Sequence, residues 1–118
     1  MVNKASSNPY SIEIDRGNRI LKLLKHGAII REYPIAVKTP LSPYINGKWI
    51  ILKKTFSGKY EKEYFMKLSI PYGVHGIYST TKPLYIKKLS SNKSIKMYFH
   101  QAKELYNTVP VGTVVNIY

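Results

Sequence analysis

The chain contains no cysteine, which excludes disulfide frameworks, thiolate metal sites and thiol nucleophiles within it. Acidic residues are also scarce, six against 19 lysines and arginines, so paired carboxylates for acid–base work have few places to arise. Glu61 and Glu63 could share a strand face, but Lys59, Lys62 and Lys67 lie close in sequence, and a solvated charged loop is the simpler reading. No apolar run approaches the roughly 18 residues of a membrane span, and Met1 to Tyr10 holds no apolar stretch of secretory length. As written, the chain is expected to be neither exported nor anchored. Internal repeats and low-complexity tracts are absent as well.

What is present is ordinary for a folded protein: 118 residues, 44% hydrophobic and 21% charged, enough for one domain with a single core. The net charge of +13 attracts polyanions such as nucleic acid, anionic lipid headgroups or acidic polymers. Sixteen of the cations are lysines, scattered from Lys4 to Lys103, which describes a generally cationic surface and not a basic arm. Eleven tyrosines interleave with them, as in Tyr85-Ile86-Lys87-Lys88, a composition that would also suit stacking on single-stranded nucleic acid. No RRM, KH or zinc-knuckle motif accompanies it.

The periodicity is mainly that of β-structure. Ser11 to Asp15 alternates, Arg16-Gly17-Asn18 supplies a turn, and Arg19 to Lys25 returns as the second arm of a hairpin. A further turn at His26-Gly27 leads into Ala28 to Val37, where Pro34 suggests an edge or a bulge, so the first third reads as an antiparallel meander. Residues 38–47 carry loop composition, Lys48 to Lys53 and Tyr64 to Ser69 read as strands, and Thr55 to Glu63 as an exposed connection. Ile77 to Ser90 reads as a long excursion with at most one short strand, near Tyr85-Ile86. From Tyr98 to Val109 the apolar period changes to three or four (Ala102, Leu105, Val109), which predicts one short helix, ended by Pro110 and Gly112; Thr113 to Tyr118 closes as a strand.

Two segments carry candidate chemistry. Tyr72-Gly73-Val74-His75-Gly76 sets a lone histidine in an apolar stretch, and Ser91-Asn92-Lys93-Ser94-Ile95-Lys96-Met97 follows it. Taken alone, such a histidine reads as a hydrogen-bonded core residue. His26 and His100 have no ligand-like spacing with it or with a carboxylate pair, so neither a metal site nor a cofactor is expected.

Together these segments resemble the catalytic domain of L,D-transpeptidases, the YkuD-like family, whose signature is an upstream His-Gly followed by Ser-His-Gly-Cys-Ile-Arg-Met. Further fragments match in order. Tyr33-Pro34-Ile35 with Thr39-Pro40 and Pro43 is similar to the family's Tyr-Pro-Val and Thr-Pro-x-Pro region. Gly47-Lys48-Trp49-Ile50-Ile51, Phe65-Met66-Lys67-Leu68 and the closing Leu105-Tyr106 through Val115 match later ones. The resemblance spans most of residues 10–118. It implies a single L,D-transpeptidase-like β-sandwich or barrel of antiparallel and mixed strands with a short C-terminal helix, preceded by a tail at residues 1–9.

The activity implied is acyl transfer on the peptidoglycan stem peptide, in which a cysteine attacks a carbonyl, a histidine moves the proton and amide donors hold the oxyanion. His75 matches the general-base histidine, and the ordinary imidazole pKa of about 6.5 suits that task. Ser94 stands where the family has its cysteine, and a hydroxyl is far harder to activate than a thiol. Asn92 replaces the motif histidine, Lys93 the glycine beside the nucleophile, and Lys96 the arginine, keeping its charge without its planar fork.

The expectation is therefore a degenerate, catalytically inactive homologue, with a serine-based acyltransferase or hydrolase using Ser94 and His75 as one alternative and a basic nucleic-acid-binding β domain as another. A retained pocket would bind stem peptide or an anionic wall polymer through Trp49, Tyr72, Gly76, Asn92, Lys93 and Lys96. The expected location is cytoplasmic or spore-associated unless the chain is a trimmed form of a wall protein.

Overall fold

A computed structural model describes residues 8–37, 46–58, 63–71, 75–84 and 94–118, with Ser94 described in its backbone alone. The elements, in chain order, are β1 (Tyr10–Asp15), β2 (Ile20–Lys25), β3 (Ala28–Pro34), β4 (Gly47–Ser57), β5 (Glu63–Leu68), β6 (Gly76–Thr80), β7 (Ser94–Tyr98), α1 (Phe99–Thr108) and β8 (Val114–Ile117).

Local chemistry explains the first meander. Asp15 Oδ1 accepts the Asn18 backbone N–H at 3.0 Å and its Oδ2 accepts from the Asn18 side chain at 2.8 Å, closing the turn between β1 and β2. His26 and Gly27 both take positive φ, 51° and 80°, the geometry of a two-residue hairpin turn whose twist matches its strands. Alternation then turns Ile12 and Ile14 of β1, and their partners Leu23 and Leu21 of β2, into the core. A bulge between Leu23 and Leu24 shifts the register against β3.

Among the described residues the strands form one eight-stranded mixed sheet in the order β3-β2-β1-β8-β4-β5-β6-β7. Two pairings are parallel, β1 with β8 and β6 with β7. The long strand β4 serves both halves, pairing β8 through Gly47 to Ile50 and β5 through Ile51 to Ser57, with a register shift between Ile51 and Lys53. The sheet then folds round so that its outer strands meet. Ala36, just past β3, donates its N–H to the Lys96 carbonyl of β7 at 2.9 Å and accepts the Lys96 N–H at 3.0 Å. The enclosed core includes Ile14, Leu21, Ile51, Met66, Leu68, Ile77, Met97 and Ile117.

The helix α1 follows β7 without a break and lays Ala102 and Leu105 inward. No side chain among the described residues caps its N-terminus, but its C-terminus is capped from a distance. Lys54 Nζ on β4 donates to the carbonyls of Tyr106 at 2.7 Å and Val109 at 2.8 Å and lies 4.7 Å from the Tyr106 ring centroid, placing a cation at the negative end of the helix. Tyr33 of β3 reaches the same helix and donates its hydroxyl to Glu104, whose carboxylate also faces Arg31 Nε at 3.7 Å.

Two corrections to the sequence reading concern the sheet. β4 runs on through Thr55 to Ser57, where an exposed connection was expected, because backbone pairing with β5 sustains it beyond its apolar stretch. Residues Ile77 to Thr80, expected to lie in a long excursion, form with Gly76 the strand β6, paired on both sides. The expected strand at Tyr85-Ile86 and the loop at residues 38–45 lie outside the described residues.

β6 is also where packing is least forgiving. A Cβ placed on Gly76 would lie 2.1 Å from the Phe65 ring and 2.6 Å from the backbone oxygen of Met66. Gly76→Ala is therefore expected to lose about 3 kcal/mol or more, the upper end for overpacked sites. Phe65→Ala should not rescue it, since the Met66 carbonyl stays; urea unfolding of the single and double variants checks both points.

Tyr33 supplies a pH-dependent contribution. Burial, with the Glu104 hydrogen bond and carboxylate charge adding to it, raises its hydroxyl pKa above the ordinary 10.0. Above about pH 10 an unfolded tyrosine releases a proton that folded Tyr33 keeps, so the folded state binds more protons and stability falls as pH rises. Tyr33→Phe is expected to lower stability by about 1.5 to 3 kcal/mol near neutrality and to flatten this alkaline loss. Urea midpoints at about pH 7, 9 and 11 measure both effects.

Candidate functional site

The register of three neighbouring strands assembles the region around His75. Lys67 of β5 pairs with Gly76 of β6, and Gly76 pairs with Ser94, the first residue of β7. His75 immediately precedes that row, is buried at 9% exposure, and through its backbone carbonyl accepts the Leu68 backbone N–H at 2.9 Å. The two segments singled out in the sequence thus meet at the N-terminal ends of the parallel pair β6 and β7.

Two rows further on, and so on the same face of the sheet, lies a stack. Phe65, Tyr78 and Lys96 are register partners across β5, β6 and β7. The Phe65 and Tyr78 rings lie 4.4 Å apart at 23°, and Lys96 Nζ sits 4.3 Å from the Tyr78 centroid, an arrangement that holds an ammonium over an aromatic face. Burial, with the charge of Glu63 adding to it, raises the Tyr78 hydroxyl pKa, so Tyr78 enters this stack as a neutral phenol. Phe65 is thereby fixed between Tyr78 and Gly76, and the position after His75 is confined by an aromatic ring and a carbonyl.

Of the site residues expected from sequence, Gly76 and Ser94 pair at the heads of β6 and β7, His75 immediately precedes them, and Lys96 follows two residues along β7. Trp49 lies on β4, which β5 separates from β6, and is partly buried against the core. Tyr72, Asn92 and Lys93 lie outside the described residues. Phe65 and Tyr78, which pack beside this row, were not among the residues expected from sequence. Their signal was aromatic alternation on two strands, and it becomes readable only once β6 is recognised as a strand.

At the opposite ends of β6 and β7 lies a cavity of about 330 Å³ lined by Thr80, Thr81, Tyr98, Phe99 and His100. Thr80 and Tyr98 are register partners. The Phe99 ring is anchored 5.4 Å from Tyr64 and stands edge-on to His100 at 5.5 Å. No group of three or more histidine, cysteine, aspartate or glutamate side chains that could hold a metal ion occurs among the described residues, and no helix there is long and apolar enough to cross a membrane.

Comparison with known proteins places this architecture. A family model of the L,D-transpeptidase catalytic domain, YkuD, matches residues 9–117. The YkuD proteins of Bacillus licheniformis and Bacillus subtilis, which carry the name L,D-transpeptidase, are each 33% identical over 111 residues, covering 92% of this chain and 66% of their own length. The crystal structure of a Cys-to-Ser mutant of the Enterococcus faecium L,D-transpeptidase superposes with a TM-score of 0.77 at 23% identity, covering 93% of this chain and 50% of that one. The chain thus spans just under two thirds of these curated relatives and half of that solved chain. On this match along nearly its whole length, and on the mixed sheet it folds into, the chain belongs to the L,D-transpeptidase catalytic domain family.

Proposed function

We propose that residues 10–118 act as a single degenerate L,D-transpeptidase-like domain that binds peptidoglycan stem peptide without cross-linking it. The observation that carries this reading is the Gly76–Ser94 register pair, which sets a serine at the head of β7 beside the His75 segment, in a chain that has no cysteine. Ser94 then occupies the nucleophile position of the family motif, where a hydroxyl lacks the thiolate population that makes cysteine reactive near neutrality.

Binding does not need that nucleophile, because recognition of the ground state rests on other contacts. Lys96, held over Tyr78, and Lys67, in the Gly76 row, offer two cations for the carboxylates of an acidic stem peptide. Tyr72, Asn92 and Lys93 belong to the proposed peptide site as well, with Trp49 of β4 contributing from beyond β5. Stem peptide, or an anionic wall polymer bearing it, is accordingly the proposed partner.

The expected outcome is that incubation with a carbapenem adds no mass to the protein and that disaccharide-tetrapeptides are not cross-linked, both followed by intact-mass spectrometry. A soluble tetrapeptide should bind saturably even at high salt, weakened only as far as its contacts to Lys67 and Lys96 are screened. An adduct that disappears in Ser94→Ala would overturn the inactive assignment in favour of a serine enzyme. Tight oligonucleotide binding that collapses with rising salt, without peptide binding, would overturn the wall-peptide assignment.

A further inference from the structure

From the cavity at the C-terminal ends of β6 and β7, we infer a second ligand subsite, one that takes a neutral saccharide ring. Its position is distinct from the His75 row. Thr80 lies four steps beyond Gly76 along β6, about 13 Å at the usual strand rise of about 3.3 Å, and the Phe65, Tyr78 and Lys96 row lies between the two.

The lining identifies the ligand class. The chain carries 19 lysines and arginines, yet none lines this cavity among the described residues, and no carboxylate does either. Among those described residues a phosphate or carboxylate would find no lysine or arginine to pair with. What the walls offer is two aromatic rings, an imidazole and hydroxyls. Tyr98 is 40% exposed, and Phe99 is braced against Tyr64, so one ring faces outward and the other is pre-positioned.

The hydroxyls of Thr80 and Thr81 stand beside them. Thr80 Oγ1 already accepts the Lys82 backbone N–H at 3.1 Å, and its hydroxyl hydrogen can still be donated to a ligand. A pyranose has the complementary chemistry, with apolar C–H faces that pack on aromatic rings and a rim of hydroxyls that pair with threonine and imidazole. The volume of about 330 Å³ lies at the small end of ligand pockets and suits a ring or two, not a folded segment. A nucleotide would use the same aromatic faces but would bring a phosphate that meets no lysine or arginine among the described lining residues.

The subsite goes beyond the stem-peptide reading and rests on it only for the choice of an N-acetylated probe. The full chain, isotope-labelled, is titrated with a neutral N-acetylglucosamine disaccharide, a sugar-free tetrapeptide and a short thymidine oligonucleotide, with backbone amides followed by NMR. The disaccharide is expected to shift Thr80, Thr81, Tyr98 and His100, and the affinity should fall about five-fold or more in Tyr98→Ala and in Thr81→Val. Thr81→Val removes one exposed hydroxyl while keeping the shape, and so covers the case in which Tyr98→Ala does not fold.

Absence of disaccharide shifts at these residues overturns the subsite, whether or not the peptide binds near Lys96. Oligonucleotide shifts at the same residues with none from the sugar overturn it in favour of base stacking. Disaccharide binding there without any peptide binding upholds the subsite while removing the stem-peptide reading.

Discussion

Two backbone hydrogen bonds between Ala36 and Lys96 join the outer strands of the sheet, and much of the remaining architecture depends on that closure. An eight-stranded sheet with open margins would present two rows of unpaired amides and carbonyls. Here β3 and β7 shield one another at this point, and the core between them is enclosed. The junction lies two residues from Ser94. The strand that brings Ser94 opposite Gly76 is therefore held on one side by β6 and on the other by the residues that follow β3, so the backbone of the candidate site is set by the closure of the whole sheet.

Packing and chemistry make separate demands at that site. The residue after His75 must be glycine because of Phe65 and the Met66 carbonyl, whatever reaction the site performs. Lys96 is engaged by the Tyr78 ring through its side chain and by Ala36 through its backbone. Folding alone can thus retain much of the framework while the reactive position changes. Family membership and present activity are consequently different questions, and here they rest on different residues.

How much could be read in advance depended on how local the determining physics was. The two hairpins were legible because their turns are encoded in adjacent residues, Asp15 with Asn18 and His26 with Gly27. The helix was legible because Ala102, Leu105 and Val109 recur at helical spacing. β6 was not, since its buried face alternates Ile77 with Ser79, a polar residue whose hydroxyl accepts the Tyr64 backbone N–H at 2.8 Å. That hydrogen bond satisfies the buried hydroxyl but hides the apolar rhythm of a strand. At the site, motif order brought out His75 and Ser94. The Phe65, Tyr78 and Lys96 stack and the Thr80 to His100 cavity arise from cross-strand register, which no single stretch of sequence contains.

The Lys54 cap bears on the order in which the chain acquires structure. A helix of ten residues is marginal by itself, and α1 receives its C-terminal cap from an ammonium nearly half the chain away in sequence. Its last turn gains that cap only when β4 is in place and loses it when that strand detaches. Helix and sheet should accordingly exchange their amides as one cooperative unit, and the aromatic cavity at the other end of α1 exists only in molecules whose β-sheet is intact.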